Sequence, residues 1–327
     1  MNRQYIFIIS GRADQRLTKA LETALADIPA EVRTHFEFRY TEYGGHAGDV
    51  AREVSEKYGS RVTVVSCGGD GTINEVCNSL AFTNTPLICL PFGTGNDLSK
   101  TIYGLQIPDL KKSLESLDSF KPRKIDLIRV DSYDIMGNHL PMWSRYCVNV
   151  ASIGLDTKVQ AAAKAMVLAK PRSSFVRKTA YIRSALKGIT GNRSSAFEYE
   201  LELETGETYK SERNVNTLIS ICNGKYYGDG FCPAPNAKLD DGIADVCAVD
   251  DVSFSKAVDL IIKYRFGKHE GKPGIHMFRT TSGIITSADP SYQLHGNYDG
   301  EDFFGHRIRF EVFPDALTMC FPEDAND

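Results

Sequence analysis

The chain has 327 residues, enough for two domains of ordinary size, and its 42% hydrophobic and 24% charged content is that of a globular protein. A net charge of -4 argues against a general nucleic-acid binder. Eight cysteines (67, 77, 89, 147, 222, 232, 247, 320) stand no closer than ten residues apart, which excludes CxxC zinc or redox pairs and points to a reduced, cytoplasmic protein.

From the N-terminus, Tyr5 to Ile9 reads as a buried strand, and Ala13 to Ala26 as a helix with Leu17, Leu21, Ala24 and Leu25 at helical spacing. The apolar run at 5–9 is too short for a signal peptide, and no stretch approaches the ~18–20 apolar residues that span a bilayer, so any membrane contact is expected from outside. His35 to Tyr40 alternates as a strand and Ala47 to Tyr58 is helical. A strand at 62–67 leads into Gly68-Gly69-Asp70-Gly71-Thr72-Ile73-Asn74-Glu75, with a helix from about Thr72 that the Thr72 hydroxyl caps. A second strand at 87–90 leads into Pro91-Phe92-Gly93-Thr94-Gly95-Asn96-Asp97, with a helix after Asn96. This βαβα order implies an α/β domain with a mostly parallel sheet and helices on both faces, which binds ligands at the carboxyl ends of its strands.

From about Ile125 strand-like runs dominate, at 125–130, 144–151, 197–204, 215–222, 243–249, 277–287 and 307–313. Hairpin cues stand at Thr205-Gly206 and Asp240-Asp241-Gly242, and helical insertions near 154–190 and 253–264. The expected organisation is a nucleotide-binding α/β domain over 1–124, onto which a tail at about 315–327 packs back, and a β-rich lipid-substrate domain over 125–314. The latter reads as an antiparallel, β-sandwich-like fold with helical insertions.

The two glycine loops carry the chemistry. Glycines expose backbone N–H groups and let a phosphate approach with no Cβ in the way, and a helix start offers further free N–H groups. Asp70 is expected to face the phosphates or their magnesium. A Rossmann fingerprint fails because Leu98 stands where its third glycine belongs, and neither a Walker P-loop nor the protein-kinase motifs occur.

The first loop resembles the nucleotide-binding signature of the superfamily that includes diacylglycerol kinases, sphingosine kinases, NAD kinases and phosphofructokinases. The second, Pro91-x-Gly93-Thr94-x-Asn96-Asp97, resembles the lipid-kinase branch. Asn149 to Asp156, the run Asn223-Gly224-Lys225-Tyr226-Tyr227-Gly228-x-Gly230 with Pro233 and Leu239-Asp-Asp-Gly242 after it, and Asp299-Gly300-Glu301 resemble further segments of that family, in the expected order. The likeness is greatest to soluble bacterial diacylglycerol kinases.

That resemblance implies an ATP- and Mg2+-dependent lipid kinase, with diacylglycerol converted to phosphatidic acid. It implies nucleotide contacts from Ser10, Gly11, Arg12, Thr41, Gly68, Gly69, Asp70, Gly71, Thr72, Asn74, Glu75, Gly93, Thr94, Asn96 and Asp97. Glu301 becomes the general base and Asp299 helps orient it, while Tyr298 stands where the family often has an aliphatic residue. Asp70, Asp97 and Asp126 are implied as an acidic cluster that holds magnesium through water. A structural magnesium is implied at Asp241, through its side chain and the carbonyls of Lys238 and Ile243. The N-terminal run Ser10-Gly11-Arg12 departs from the family by lacking Asn-Pro. Two other functions stay open: an NAD kinase-like enzyme, and a nucleotide-binding regulator without catalysis.

One feature stands apart from the motifs. From Thr157 to Phe197 there is no acidic residue, against nine basic ones from Lys158 to Arg193. Such a segment suits peripheral contact with an anionic bilayer, here the inner face of the membrane. A homodimer is compatible with the sequence.

Overall fold

The computed structural model describes residues 3–11, 15–93, 95–105, 110–169, 174–188, 190, 195–212, 215–228 and 230–323. It divides into two units, Met1–Leu127 with Pro314–Asp327, and Ile128–Phe313.

The first unit runs β1 (Gln4–Ile9), α1 (Gln15–Ala26), α2 (Ala30–Arg33), β2 (Phe36–Tyr40), α3 (His46–Tyr58), β3 (Val62–Gly68), α4 (Asp70–Leu80), β4 (Leu87–Pro91), α5 (Asp97–Tyr103) and α6 (Leu110–Glu115), then enters β5 (Lys121–Tyr133). Its strands pair in the order β4-β3-β1-β2, all parallel. Strand periodicity sends alternate residues to opposite faces. Phe7, Ile9, Val65, Cys67, Ile88 and Leu90 form one core with Leu21 and Ala24 of α1, Leu114 of α6 and Cys320 near the C-terminus. Helices α3 and α4 pack on each other and on β3. The chain leaves β1 toward β2 and returns to β3 on the other side, a topological switch that opens a crevice at the carboxyl ends of β1 and β3.

The start of α4 corrects the sequence expectation. The helix begins at Asp70, and its N-cap is Gly69 in extended conformation, with no side-chain cap. Thr72 therefore lies inside the first turn, packed against Gly68, where an added Cβ would come 2.4 Å from Thr72 Cβ.

The second unit continues with β6 (Arg145–Cys147), β7 (Val150–Gly154), α7 (Leu155–Ala169), α8 (Ser174–Gly188), β8 (Ser195–Leu203), β9 (Thr208–Lys210), β10 (Val215–Cys222), β11 (Ala244–Asp250), α9 (Phe254–Arg265), β12 (Ile275–Ser287), β13 (Leu294–Tyr298), β14 (Glu301–Gly305) and β15 (Arg307–Phe321). These strands pair antiparallel in two layers. One runs β14-β13-β7-β10-β11 to the first half of β12; the other joins the second half of β12 to β8 and β15. A register shift at Thr280/Ser282 marks where β12 changes layers, the usual way a strand turns a sandwich corner.

Between the layers pack Ala151, Ile153, Ile219, Ile221, Val246, Phe197, Leu201, Ile285, Ile308 and Phe310. The alternate residues Val150, Cys222, Cys247 and Val249 face the other way, onto α7, α8 and α9. The predicted class thus holds: a mostly parallel α/β unit and an antiparallel, sandwich-like unit with helical insertions.

Thr205-Gly206 makes the β8–β9 hairpin, with Gly206 at φ +83°. Asp240-Asp241-Gly242 does not make a hairpin. It ends the long 223–243 connection that leads into β11. Strands β9, β13 and β14 were not foreseen: they are short, and Leu294-His-Gly-Asn-Tyr298 is too polar to read as a strand. All eight cysteines are buried, and none forms a disulfide. Among the described residues no helix is long and apolar enough to cross a membrane.

Candidate functional site

In the first unit, four chain segments meet at one edge of the sheet. Ser10 follows β1, Thr41 follows β2, Gly68 and Gly69 lie at the end of β3, and Gly93–Asp97 follow β4. Backbone bonds join them: Ser10 N–H donates to Cys67 O at 3.0 Å, Thr41 N–H to Ile9 O at 2.9 Å, and Phe92 N–H to Gly68 O at 3.2 Å. Gly11 N–H donates to Thr41 Oγ1 at 3.0 Å, which gives that threonine a defined part in shaping the first loop.

The two glycine loops touch backbone to backbone. A Cβ on Gly93 would lie 2.6 Å from Gly69 Cα, so no larger residue fits there without displacing a peptide. Three side chains strap the contact. Asn96, at φ +52°, accepts from Gly93 N–H at 2.7 Å and donates from Nδ2 to Gly93 O at 2.8 Å. Asp70 Oδ1 accepts from Asp97 N–H, at the start of α5, at 2.9 Å. Lys100 Nζ donates to Asp97 Oδ1 at 3.2 Å, with both side chains largely buried. The other carboxylate oxygens of Asp70 and Asp97 flank Gly95, 2.9 and 3.6 Å from where its Cβ would stand.

Other residues implied by the resemblance have different surroundings. Asn74 is fully buried and accepts from Asn78 Nδ2 at 3.2 Å. Glu75 Oε1 accepts from Gly45 N–H at 2.9 Å, and so fixes the loop that starts α3. Gly71 and Thr72 lie half-buried in the first turn of α4. Arg12 and Thr94 lie outside the described residues. Of the three carboxylates implied as a cluster, Asp70 and Asp97 both flank Gly95, and Asp126 is buried and accepts from Asp315 N–H at 3.1 Å. Among the described residues no three acidic, histidine or cysteine side chains gather as a metal set. Sequence reading missed Lys100, although a lysine three residues after Asp97 on the following helix was the available signal.

In the second unit, three motifs far apart in sequence form one hydrogen-bonded node. The Asp299 carboxylate, 8% exposed, accepts from the N–H groups of Val148 at 2.7 Å, Asn149 at 3.0 Å and Val150 at 3.2 Å. The N–H groups of Asn223 and Gly224 both donate to Asn149 O, at 2.8 and 2.9 Å. Asn223 Nδ2 donates to Val148 O, and Asn149 Nδ2 to Tyr226 O. Asp299 and Gly300 have φ of +50° and +94°, the pattern of a two-residue primed hairpin turn between β13 and β14. Glu301, the first residue of β14, is exposed beside it. Asp299 was expected to orient Glu301, and its bonds to the 148–150 backbone fix the turn from which Glu301 follows.

Tyr298 is buried and stacks on Phe303 with ring centroids 5.1 Å apart. Burial pushes its hydroxyl up to about 12. Burial also drives the Cys147 thiol well above its ordinary value, and the adjoining Asp299 carboxylate adds to the rise.

At the 238–243 turn, the Asp241 carboxylate accepts one hydrogen bond on each oxygen. Oδ1 accepts from Ile243 N–H at 3.2 Å and Oδ2 from Arg279 at 3.0 Å, while Arg279 also bonds Glu204 at 2.9 Å. As folded, the turn sets the Asp241 carboxylate, implied as a magnesium ligand together with the Lys238 and Ile243 carbonyls, against the Arg279 guanidinium.

Beneath α7, α8 and α9 lies a cavity of about 70 Å³, bounded by Leu155, Val159, Tyr181, Leu260 and Tyr264 among others. Asp156 on its wall is buried and accepts from Ser152 Oγ at 2.6 Å and from the Tyr181 hydroxyl. Burial, reinforced by the Asp156 carboxylate, raises the Tyr181 and Tyr227 hydroxyls well above their usual range.

A glycine-strapped edge on a parallel sheet, followed by a sandwich with an Asp-Gly-Glu turn, defines a kinase class, and comparison specifies it. Residues 4–130 match the diacylglycerol kinase catalytic domain, and residues 149–321 match the YegS C-terminal NAD kinase beta sandwich-like domain. The chain belongs to the lipid-kinase family that these two domains define. A protein of Xanthomonas axonopodis pv. citri named "Probable lipid kinase YegS-like" is 30% identical over 284 residues, 84% of each chain. A protein of the same name from Pseudomonas savastanoi pv. phaseolicola is 27% identical over 335 residues, 99% of this chain and 95% of the other. The crystal structure of a diacylglycerol kinase from Bacillus anthracis str. Sterne shares the fold, with a TM-score of 0.68 at 18% identity over 99% of this chain and 98% of that one.

Four substitutions test this geometry. Gly93→Ala is expected to lower unfolding free energy by about 2 kcal/mol in urea melts, because it forces two peptides apart. Gly44→Ala, where an added Cβ meets nothing within 4 Å, is expected to stay within about 0.5 kcal/mol. Asp299→Ala leaves three backbone donors without their acceptor and is expected to cost about 3 kcal/mol, with Asp299→Asn costing less because one acceptor oxygen remains.

Proposed function

We propose that this chain transfers the γ-phosphoryl group of ATP to the hydroxyl of a lipid, with diacylglycerol as acceptor and phosphatidic acid as product. The observation that carries the reading is the meeting of Ser10, Thr41, Gly68–Asp70, Gly93 and Gly95–Asp97 at the carboxyl ends of four parallel strands. The backbone N–H groups of the loops and the first turn of α4 suit a polyphosphate. The chain is similar to proteins named as lipid kinases, and the Bacillus anthracis neighbour is titled a diacylglycerol kinase.

In this reading Glu301 accepts the proton of the lipid hydroxyl. The freed oxygen bonds to the γ-phosphorus as the bond to the β–γ bridging oxygen breaks, and ADP leaves with that electron pair. Positioning and charge neutralisation dominate such a transfer, so little covalent work falls to the protein. Asp70 and Asp97 are the carboxylates that would hold the magnesium of bound ATP, which neutralises phosphate charge. The Asp-Gly turn holds Glu301 outside the core, where an acceptor can reach it. Catalysis at the inner face of the membrane, with contact through the basic stretch 158–193, belongs to the same proposal.

The test is phosphate transfer from labelled ATP to diacylglycerol in mixed micelles and to a total lipid extract. The expected product is labelled phosphatidic acid. Glu301→Gln is expected to lower turnover by about 10²–10⁴ with an unchanged thermal melt, and Asp70→Asn to abolish most of it. Undiminished turnover in Glu301→Gln would remove the base, and labelling of NAD instead of any lipid would replace the substrate class.

A further inference from the structure

Strand β2 ends the parallel sheet of the first unit. Among the described residues β1 is its one strand partner, and its other edge is open. Edge strands ordinarily carry a lysine, a proline or a bulge that keeps a second strand from adding. Phe36-Glu37-Phe38-Arg39-Tyr40 has none of these, and its register with β1 is unbroken.

The bonds to β1 fix which atoms face outward. Tyr5 N–H donates to His35 O and Thr41 N–H to Ile9 O, both at 2.9 Å. In a parallel ladder alternate residues bond the neighbour. Glu37 and Arg39 therefore bond β1, and Phe36, Phe38 and Tyr40 turn N–H and C=O to the open side. The side chains divide the same way. Phe36 and Phe38 sit half-buried against Phe7, with ring centroids 5.0 and 5.1 Å away, and Tyr40, 54% exposed, continues their row. Glu37 and Arg39 lie on the opposite face, ion-paired at 2.6 Å.

We infer that this edge pairs with the same edge of a second copy, antiparallel and about a two-fold axis at Phe38, so that the two parallel sheets join. In that register Phe36, Phe38 and Tyr40 each donate and accept a backbone bond across the axis. Phe38 meets its counterpart and Phe36 meets Tyr40 on one face, and Glu37 meets Arg39 on the other. Aromatic pairs and opposite charges facing each other across strands are favourable. Charge selects both the occupant and the register, because the strand is its own complement. An axis at Glu37 or at Arg39 would set that charge against itself, and an axis between two residues would oppose outward atoms to inward ones and mismatch the faces. Such an interface is isologous, the commonest kind among homo-oligomers. Antiparallel pairing also brings the chain before one strand beside the chain after the other, so exposed Val32 and Tyr43 add apolar area at both ends.

The experiment is sedimentation equilibrium of the full chain over a range of concentrations. A monomer–dimer equilibrium is expected for the wild type. E37R and R39E each put like charges opposite each other at both symmetric places and are expected to weaken the dimer at least about tenfold. Mixed in equal amounts, the two variants are expected to form a heterodimer, because one edge is then wholly basic and the other wholly acidic. Y40P removes an outward N–H that β1 does not use, and is expected to abolish the dimer while the thermal melt of the monomer stays that of the wild type.

A wild type that stays monomeric overturns the inference. So does a dimer that E37R, R39E and folded Y40P all leave intact, because the contact would then lie on another surface. Failure of E37R and R39E to associate on mixing overturns it as well, since a merely structural loss in each variant would not be repaired by the other. None of these readouts involves phosphate transfer, so the kinase reading is tested separately.

Discussion

The approach of Gly93 to Gly69 is the constraint on which the first unit's site depends. Two peptides at the ends of neighbouring parallel strands lie closer than any side chain would permit. Each loop alone would be a flexible turn. Asn96 grips both polar groups of Gly93, and Asp70 reaches across to the first amide of α5. The carboxylate at the start of α4 also lies at the favourable end of that helix's dipole. The result is a rigid edge of backbone amides bordered by two carboxylates, and that edge lies at the switch point of the sheet because β1 sits between β2 and β3.

The second unit solves a related problem with a buried charge. A carboxylate inside a protein is costly unless its oxygens are fully hydrogen-bonded. Asp299 meets that condition with three backbone donors from 148–150, and Asn223 and Gly224 hold the same segment from its other side. The positive φ of Asp299 is held by this node. Tyr298, which replaces a smaller aliphatic residue of the family pattern, is accommodated by stacking on Phe303 over the bare face of Gly296. The change therefore alters packing within the hairpin and leaves Glu301 exposed at its end.

Polarity in the second unit is distributed by layer. The inter-sheet core takes one face of β7, β10 and β11, and their other face takes the helices. Because those helices are already anchored from below, their outer surfaces are released from the demands of folding. Segregated charge and exposed apolar residues persist there without cost to the core.

Much of the fold was legible because local physics encodes it. Apolar runs buried on both faces gave β1, β3 and β4, helical spacing gave α1 and α3, and the glycine loops marked strand ends. The family signature fixed the motifs, since Gly, Asp and Asn at set intervals are needed for backbone approach. Partnership was not legible. No spacing rule told that Asp70 would bond the amide of Asp97, that Glu75 would serve Gly45, that Asp126 would turn to Asp315, or that Arg279 would take Asp241. Each of those bonds joins residues from separate elements, and hydrogen-bond geometry is decided by where the sheet sets those elements in space. The helix start at Asp70 escaped for a related reason: it depends on the folded loop, in which Thr72 packs against the bare face of Gly68. The sequence by itself thus determined the elements, their order and the chemistry on offer; the tertiary structure decided which polar groups meet, because long-range packing, and not local pattern, brings donors to acceptors.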